Sequence, residues 1–243
     1  MFPFLRGQQY SIGELRTFEK ELLSKRQTDQ VFSSDLRVND QLWAKLWNEE
    51  LVPFELLVNW LNVPDEFKFE ISSKDYPGPD ITLILPIDSI GIQVTIADPD
   101  WKGNGGRTQA LENSALKRDG IAWGAGGTSK HGAKGLLVSE PRSVDSVERQ
   151  NACRDGIVKA LNRKLDKPRS ADCLLIYARS YWWELIDVGF EKFLRPIVMN
   201  AVSKFNRDGK LYPVFVVDTA GSGRTAFSVK AEQLMSVITN RAS

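Results

Sequence analysis

The sequence predicts an α/β fold: a mixed central sheet flanked by helices, with a helical extension at the N-terminus. Three observations predict it. Segments with helical spacing come first, three strand-like segments follow in a row, and helix then alternates with strand to the end. In the second half, Gly135–Ser139, Cys173–Tyr177 and Tyr212–Val217 are continuous apolar runs, as expected of strands covered on both faces. Phe67–Ser72 instead alternates with period two, the pattern of a half-buried strand. The extension is assigned to residues 1–45 and the α/β domain to 46–243.

Each element has its own signal. Ser11 to Arg26 reads as an amphipathic helix, with Leu15, Phe18, Leu22 and Leu23 at helical spacing. Ser11 caps it and Glu14, three residues on, completes a capping box. A second helical region runs from about Val38 to Leu61, with a break expected near Pro53. Phe67–Ser72, Asp80–Leu85 and Ile90–Ala97 then follow as an antiparallel meander. Arg107–Arg118 reads as a helix, Gly120–Gly135 as a glycine-rich stretch and Val144–Leu165 as a long helix. That helix ends in the basic run Arg163, Lys164, Lys167 and Arg169, which complements the helix dipole and becomes a duplex-binding flank if it lies on the side of Asp80. Phe190–Phe205 reads as a helix, and the tail from Arg224 as a short strand and a helix through Leu234.

Composition narrows the chemistry. At 42% hydrophobic and 26% charged residues the chain is of ordinary globular composition. No apolar run approaches the ~18 residues that cross a bilayer, and the first residues lack the basic start and long apolar core of a signal peptide. Cys153 and Cys173 suggest neither a disulfide framework nor a zinc site, so a reduced, cytoplasmic protein is expected. A net charge of +1 excludes a uniformly basic nucleic-acid binder but leaves room for one basic face. His131 is the only histidine, so any catalytic triad or histidine-rich metal site must rest on it or be excluded. Carboxylates, amides and lysines are left to carry any reaction.

The densest chemical signal is Tyr76-Pro77-Gly78-Pro79-Asp80, opening one strand, with Gln93-Val94-Thr95 in the next. Gln93 and Thr95 are two apart and share a strand face. Hydrolysis of a phosphodiester calls for a metal that neutralises phosphate charge and acidifies a water. Mg²⁺ takes hard oxygen ligands and keeps several waters, so few protein oxygens suffice. Asp80, the Gln93 amide and the Val94 carbonyl are the candidates.

These residues make the chain resemble the PD-(D/E)XK, or restriction-endonuclease-like, nuclease superfamily. Its pattern is a helix bearing a glutamate, a strand, a strand opening with Pro-Asp, and a strand carrying (D/E)-x-K. Pro79-Asp80 and Gln93-Val94-Thr95 match the last two, and the likeness covers roughly Leu51 to Val138. It implies a restriction-endonuclease-like core, Mg²⁺ or Mn²⁺ as cofactor and metal-dependent cleavage of DNA, in phage, mobile-element or defence DNA processing. It implies Glu55 as the helical metal ligand, with Glu49 and Glu50 as rivals. The family acid is Gln93 here and the family lysine is Thr95, which cannot carry positive charge. Lys68, Lys117 and Lys74 are the candidate replacements for the lysine, and Glu70 shares a face with Lys68. The alternative is a degenerate nuclease fold kept as a nucleic-acid- or protein-binding module. A homodimer is compatible with either.

Two glycine-rich loops, Gly124–Gly132 and Thr219–Thr225, look like phosphate cradles, but neither satisfies G-x-x-x-x-G-K-[ST]. In the first, Lys130, His131 and the nearby Lys134 are candidate contacts to DNA backbone phosphates, which need only charge and adaptable amides. Trp182-Trp183 is either a stacking platform for bases or part of the core.

Overall fold

The computed structural model describes residues 2–28, 43, 46–73, 78–97, 129–131, 137–139, 146–165, 171–178, 189–203, 213–218 and 225–239. The fold is α/β. A seven-stranded mixed sheet has the order β1 (Gln9–Ser11), β2 (Lys68–Ile71), β3 (Ile81–Ile84), β4 (Ser89–Ala97), β7 (Cys173–Ala178), β8 (Val214–Asp218) and β9 (Thr225–Val229). Strands β1 to β4 pair antiparallel, β4, β7 and β8 pair parallel, and β9 returns antiparallel to β8.

The apolar runs behave as their composition dictates. Every residue of β7 and β8 is buried. Alternate side chains enter different cores: Leu175, Tyr177, Phe215 and Val217 one, Leu174, Ile176, Val214 and Val216 the other. The first core is closed by α1 (Ile12–Thr28), α2 (Val52–Trp60) and α5 (Glu232–Thr239). The second is closed by α3 (Ser146–Leu165) and α4 (Phe190–Ser203). Each fully buried Leu, Ile, Val or Phe contributes about 1.5–3 kcal/mol of transfer free energy, so both layers hold the sheet.

The N-terminal segment is built into this body. β1, a strand without a sequence signal of its own, pairs Tyr10 opposite Phe69 of β2. Phe4, Ile12, Leu15 and Leu22 join the first core, and Phe18 packs edge-on against Phe4 and Trp47. The capping box at the start of α1 is formed. Ser11 Oγ accepts from the Glu14 N–H at 3.1 Å, and Glu14 Oε2 accepts from the Ser11 N–H at 2.6 Å.

The break expected near Pro53 takes another form. The backbone stays helical, and a π-helical turn, Trp47–Leu51, leads straight into α2 with Pro53 in the first turn. Proline has no N–H to give the preceding turn, and the widened turn absorbs the mismatch. The run Gly135–Ser139 also differs from its reading. Leu137–Ser139 is β6, paired with β5 (Ser129–His131) in a separate two-stranded sheet outside the central one. The helix read at 107–118 lies outside the described residues.

Ser11→Ala removes one half of the capping box and is expected to cost about 1 kcal/mol of stability. A lower urea midpoint with an unchanged slope is the signature; an unchanged midpoint would show that the cap contributes nothing.

Candidate functional site

Asp80 is fixed from both sides before its side chain is considered. Its carbonyl accepts from the Ser72 N–H at 3.0 Å, and its own N–H donates to the Ile92 carbonyl at 3.0 Å. It is thereby tied to the end of β2 and the middle of β4. Pro79 lies against Gly91 of β4, where a Cβ would stand 3.1 Å from the proline Cγ. Gly91 is held in turn by Asp172, whose Oδ2 accepts from the Gly91 N–H at 2.7 Å. A glycine on β4 is thus what lets the Pro-Asp corner close.

The Asp80 side chain turns onto β4. Its Oδ2 accepts from the Val94 N–H at 2.7 Å and from the Gln93 amide. Asp80 and Gln93 therefore face one another. Val94 contributes through its N–H. Thr95, two residues along, is buried at 4% exposure, and its Oγ1 accepts from Arg163 Nη2 of α3 at 2.8 Å.

The helical glutamate brought into this neighbourhood is Glu50, from the π-helical turn. Burial pushes its carboxyl above the ordinary value of 4.5. The Arg6 guanidinium opposes that shift, while the charges of Asp80 and Glu49 add to it. Arg6 binds Glu50 Oε1 and donates through Nη1 to the Ser72 carbonyl at 3.0 Å. Glu50 Oε2 is buried with no hydrogen-bond partner among the described residues. Glu50, Arg6, Ser72 and Asp80 thus form one chain of contacts at the end of β2.

Glu55 has a different setting. It is 1% exposed within α2, and its carboxylate accepts from the Asn59 amide one turn on. Lys68 is exposed and pairs with Ile84 at the far end of β3, roughly 13 Å along the strand from Asp80. Glu70 sits opposite Thr82 and accepts from Gln9 at 3.4 Å, on the β1 side. Lys130 and His131 fall on β5 of the separate hairpin. Lys74, Lys117 and Lys134 lie outside the described residues, as does Trp182-Trp183.

Arg163, read in the sequence as part of a basic helix end, is the cation that meets this strand, a contact with Thr95 that the sequence reading did not foresee. Gly156, Ala160 and Arg163 fall at i, i+4 and i+7, one row along α3, and the first two are buried. Arg163, at the end of that row, reaches Thr95. A small-small-Arg row was the available signal.

The thiols add no nucleophile. Cys153 and Cys173 are free and buried. Burial, with the charge of Asp218 adding to it, pushes the Cys153 thiol up to about 12; burial raises that of Cys173 further. Among the described residues no three His, Cys, Asp and Glu side chains cluster as metal ligands. No described helix is long and apolar enough to cross a membrane. No family model, curated protein or solved structure matches this chain.

Because Glu50 holds its proton more tightly folded than unfolded, its contribution to stability is complete below pH 4.5 and is lost as pH rises through the raised folded value. Glu50→Gln removes that loss. In metal-free buffer the stability of the variant relative to wild type is expected to climb from pH 4.5 upward, read by urea unfolding across a pH series. A flat difference would show that the carboxylate is not strained by its surroundings.

Proposed function

We propose that the chain is a divalent-metal-dependent DNA endonuclease of the PD-(D/E)XK type, with a restriction-endonuclease-like core. The observation that carries this reading is the contact between Asp80 and Gln93 across β3 and β4, beside a second carboxylate, Glu50, whose Oε1 pairs with Arg6 and whose buried Oε2 has no hydrogen-bond partner among the described residues. The element order agrees: a helical glutamate, a strand, a strand opening with Pro-Asp, and a strand with Gln-x-Thr in place of (D/E)-x-K.

The residues fit Mg²⁺ or Mn²⁺. A buried carboxylate oxygen without a hydrogen bond, raised in proton affinity partly by a neighbouring aspartate, is what a divalent cation relieves. Asp80, Glu50 and the Gln93 amide oxygen would hold it. Gln93 now presents its amide nitrogen to Asp80; a half-turn of the amide exchanges donor for acceptor and offers oxygen instead. When bound, the metal supplies charge neutralisation at the phosphate and an acidified water. The chain itself does the positioning. The Val94 N–H keeps Asp80 Oδ2 in register with β4, and Arg6 keeps Glu50 turned toward the corner. The fold class supports this reading only generally, since α/β sheets carry many activities.

A second reading, a nuclease fold kept as a nucleic-acid- or protein-binding module, is favoured by the two neutral residues at Gln93 and Thr95 and by the absence of a three-acid cluster among the described residues. Calorimetric titration with Mn²⁺ separates the two. The endonuclease reading requires wild type to bind Mn²⁺ and to nick plasmid DNA, with both lost in Asp80→Ala, cleavage by on the order of 10³-fold. Wild type that binds no metal, or Asp80→Ala that cleaves at the wild-type rate, sinks it.

A further inference from the structure

We propose that Arg163 is the residue that grips the DNA phosphate at this site, standing in for the positive charge missing at Thr95, and that Thr95 is its positioning residue. The inference rests on the Asp80 site described above. It deepens that reading by assigning the cation.

Thr95 follows Gln93 by two residues on β4, so the two side chains share a face about 7 Å apart. The Thr95 hydroxyl is buried and accepts one Arg163 N–H at 2.8 Å. A guanidinium carries five N–H donors in a rigid fork, so one bond leaves most of them unspent. Among the described residues Arg163 has no other hydrogen bond and no carboxylate partner, and it is exposed. A structural arginine is ordinarily paired, as Arg6 is with Glu50 and Arg16 with Asp65 in this chain. Arg163 is instead tethered by a neutral hydroxyl, which fixes its position and leaves its charge without a carboxylate partner among the described residues. The chemistry that completes such a fork is a phosphate oxygen pair.

The substitution at Thr95 is then explained by its contact. A lysine at position 95 would put an ammonium where Arg163 now lies, and like charges would repel. Threonine and arginine together supply one charge from two elements: the strand provides the anchor and α3 provides the cation. No atom is transferred to or from either residue; their work is to bind and orient.

The test compares wild type with Arg163→Ala, Arg163→Lys and Thr95→Val in binding a fluorescein-labelled DNA duplex in EDTA, across a salt series. Circular dichroism and melting temperature verify that each variant is folded. Arg163→Ala is expected to weaken binding several-fold and to lower the salt slope by about one phosphate. Arg163→Lys keeps the slope. Thr95→Val keeps the charge, and so the slope, while weakening binding, which a merely structural threonine would not do. If wild type cleaves in Mg²⁺, Arg163→Ala lowers kcat on the order of 10²-fold with a smaller change in KM. Wild-type affinity and slope in Arg163→Ala overturn the proposal, whether or not the chain cleaves, as does a wild type that binds no duplex. Arg163-dependent binding without metal-dependent cleavage overturns the endonuclease reading and leaves the phosphate contact standing.

Discussion

The strand β4 is the constraint on which the rest of the molecule depends. It is the joint between an antiparallel meander and a parallel sheet, pairing with β3 on one side and β7 on the other. The parallel pairing requires a crossover, and α3 lies between β4 and β7 in the chain. That crossover covers a face of the sheet and brings Arg163 to Thr95. The antiparallel pairing brings the Pro-Asp corner to Gln93. One strand therefore receives the acid from its left neighbour and the base-bearing helix on its face. A shift of β4 by one residue would turn Gln93 and Thr95 to the other face and break both contacts.

The electrostatics of the corner are unbalanced in a particular way. The charge of Asp80 disfavours that of Glu50, and Arg6 answers only one of the four carboxylate oxygens. Hydrogen bonds from Val94 and Gln93 answer another. The Arg163 guanidinium bonds neither acid and is held by the Thr95 hydroxyl. The acid corner and the arginine thus meet the same strand two residues apart, at Gln93 and Thr95.

How much of this was legible in the sequence follows from range. The capping box at Ser11 and Glu14 is local, and the meander is carried by period-two alternation within single strands, so both could be read directly. The mixed sheet could be read because β7 and β8 are apolar runs, interrupted only where Asp218 ends β8. β1 could not: three residues carry no period, and only Phe69 across the ladder makes Tyr10 a strand residue. Asp80 facing Gln93 was legible because a hairpin fixes its own register. The choice among Glu49, Glu50 and Glu55 was not. A π-helical turn inserts extra backbone, and any phase counted at 3.6 residues per turn is lost beyond it. Arg163 could be read only as part of a basic helix end, since its partner lies across a crossover and nothing near it in the chain names Thr95.

The burial of both native sulfurs has a practical corollary for spectroscopy. Cys153 and Cys173 are sealed in the interior, with proton affinities too high for ready alkylation in neutral buffer. A maleimide dye added to the folded chain will therefore leave them untouched. A cysteine introduced in place of Ile87, 83% exposed in the bend between β3 and β4, will react alone. The chain comes ready for single-fluorophore distance measurements, with no need to strip out its own thiols first.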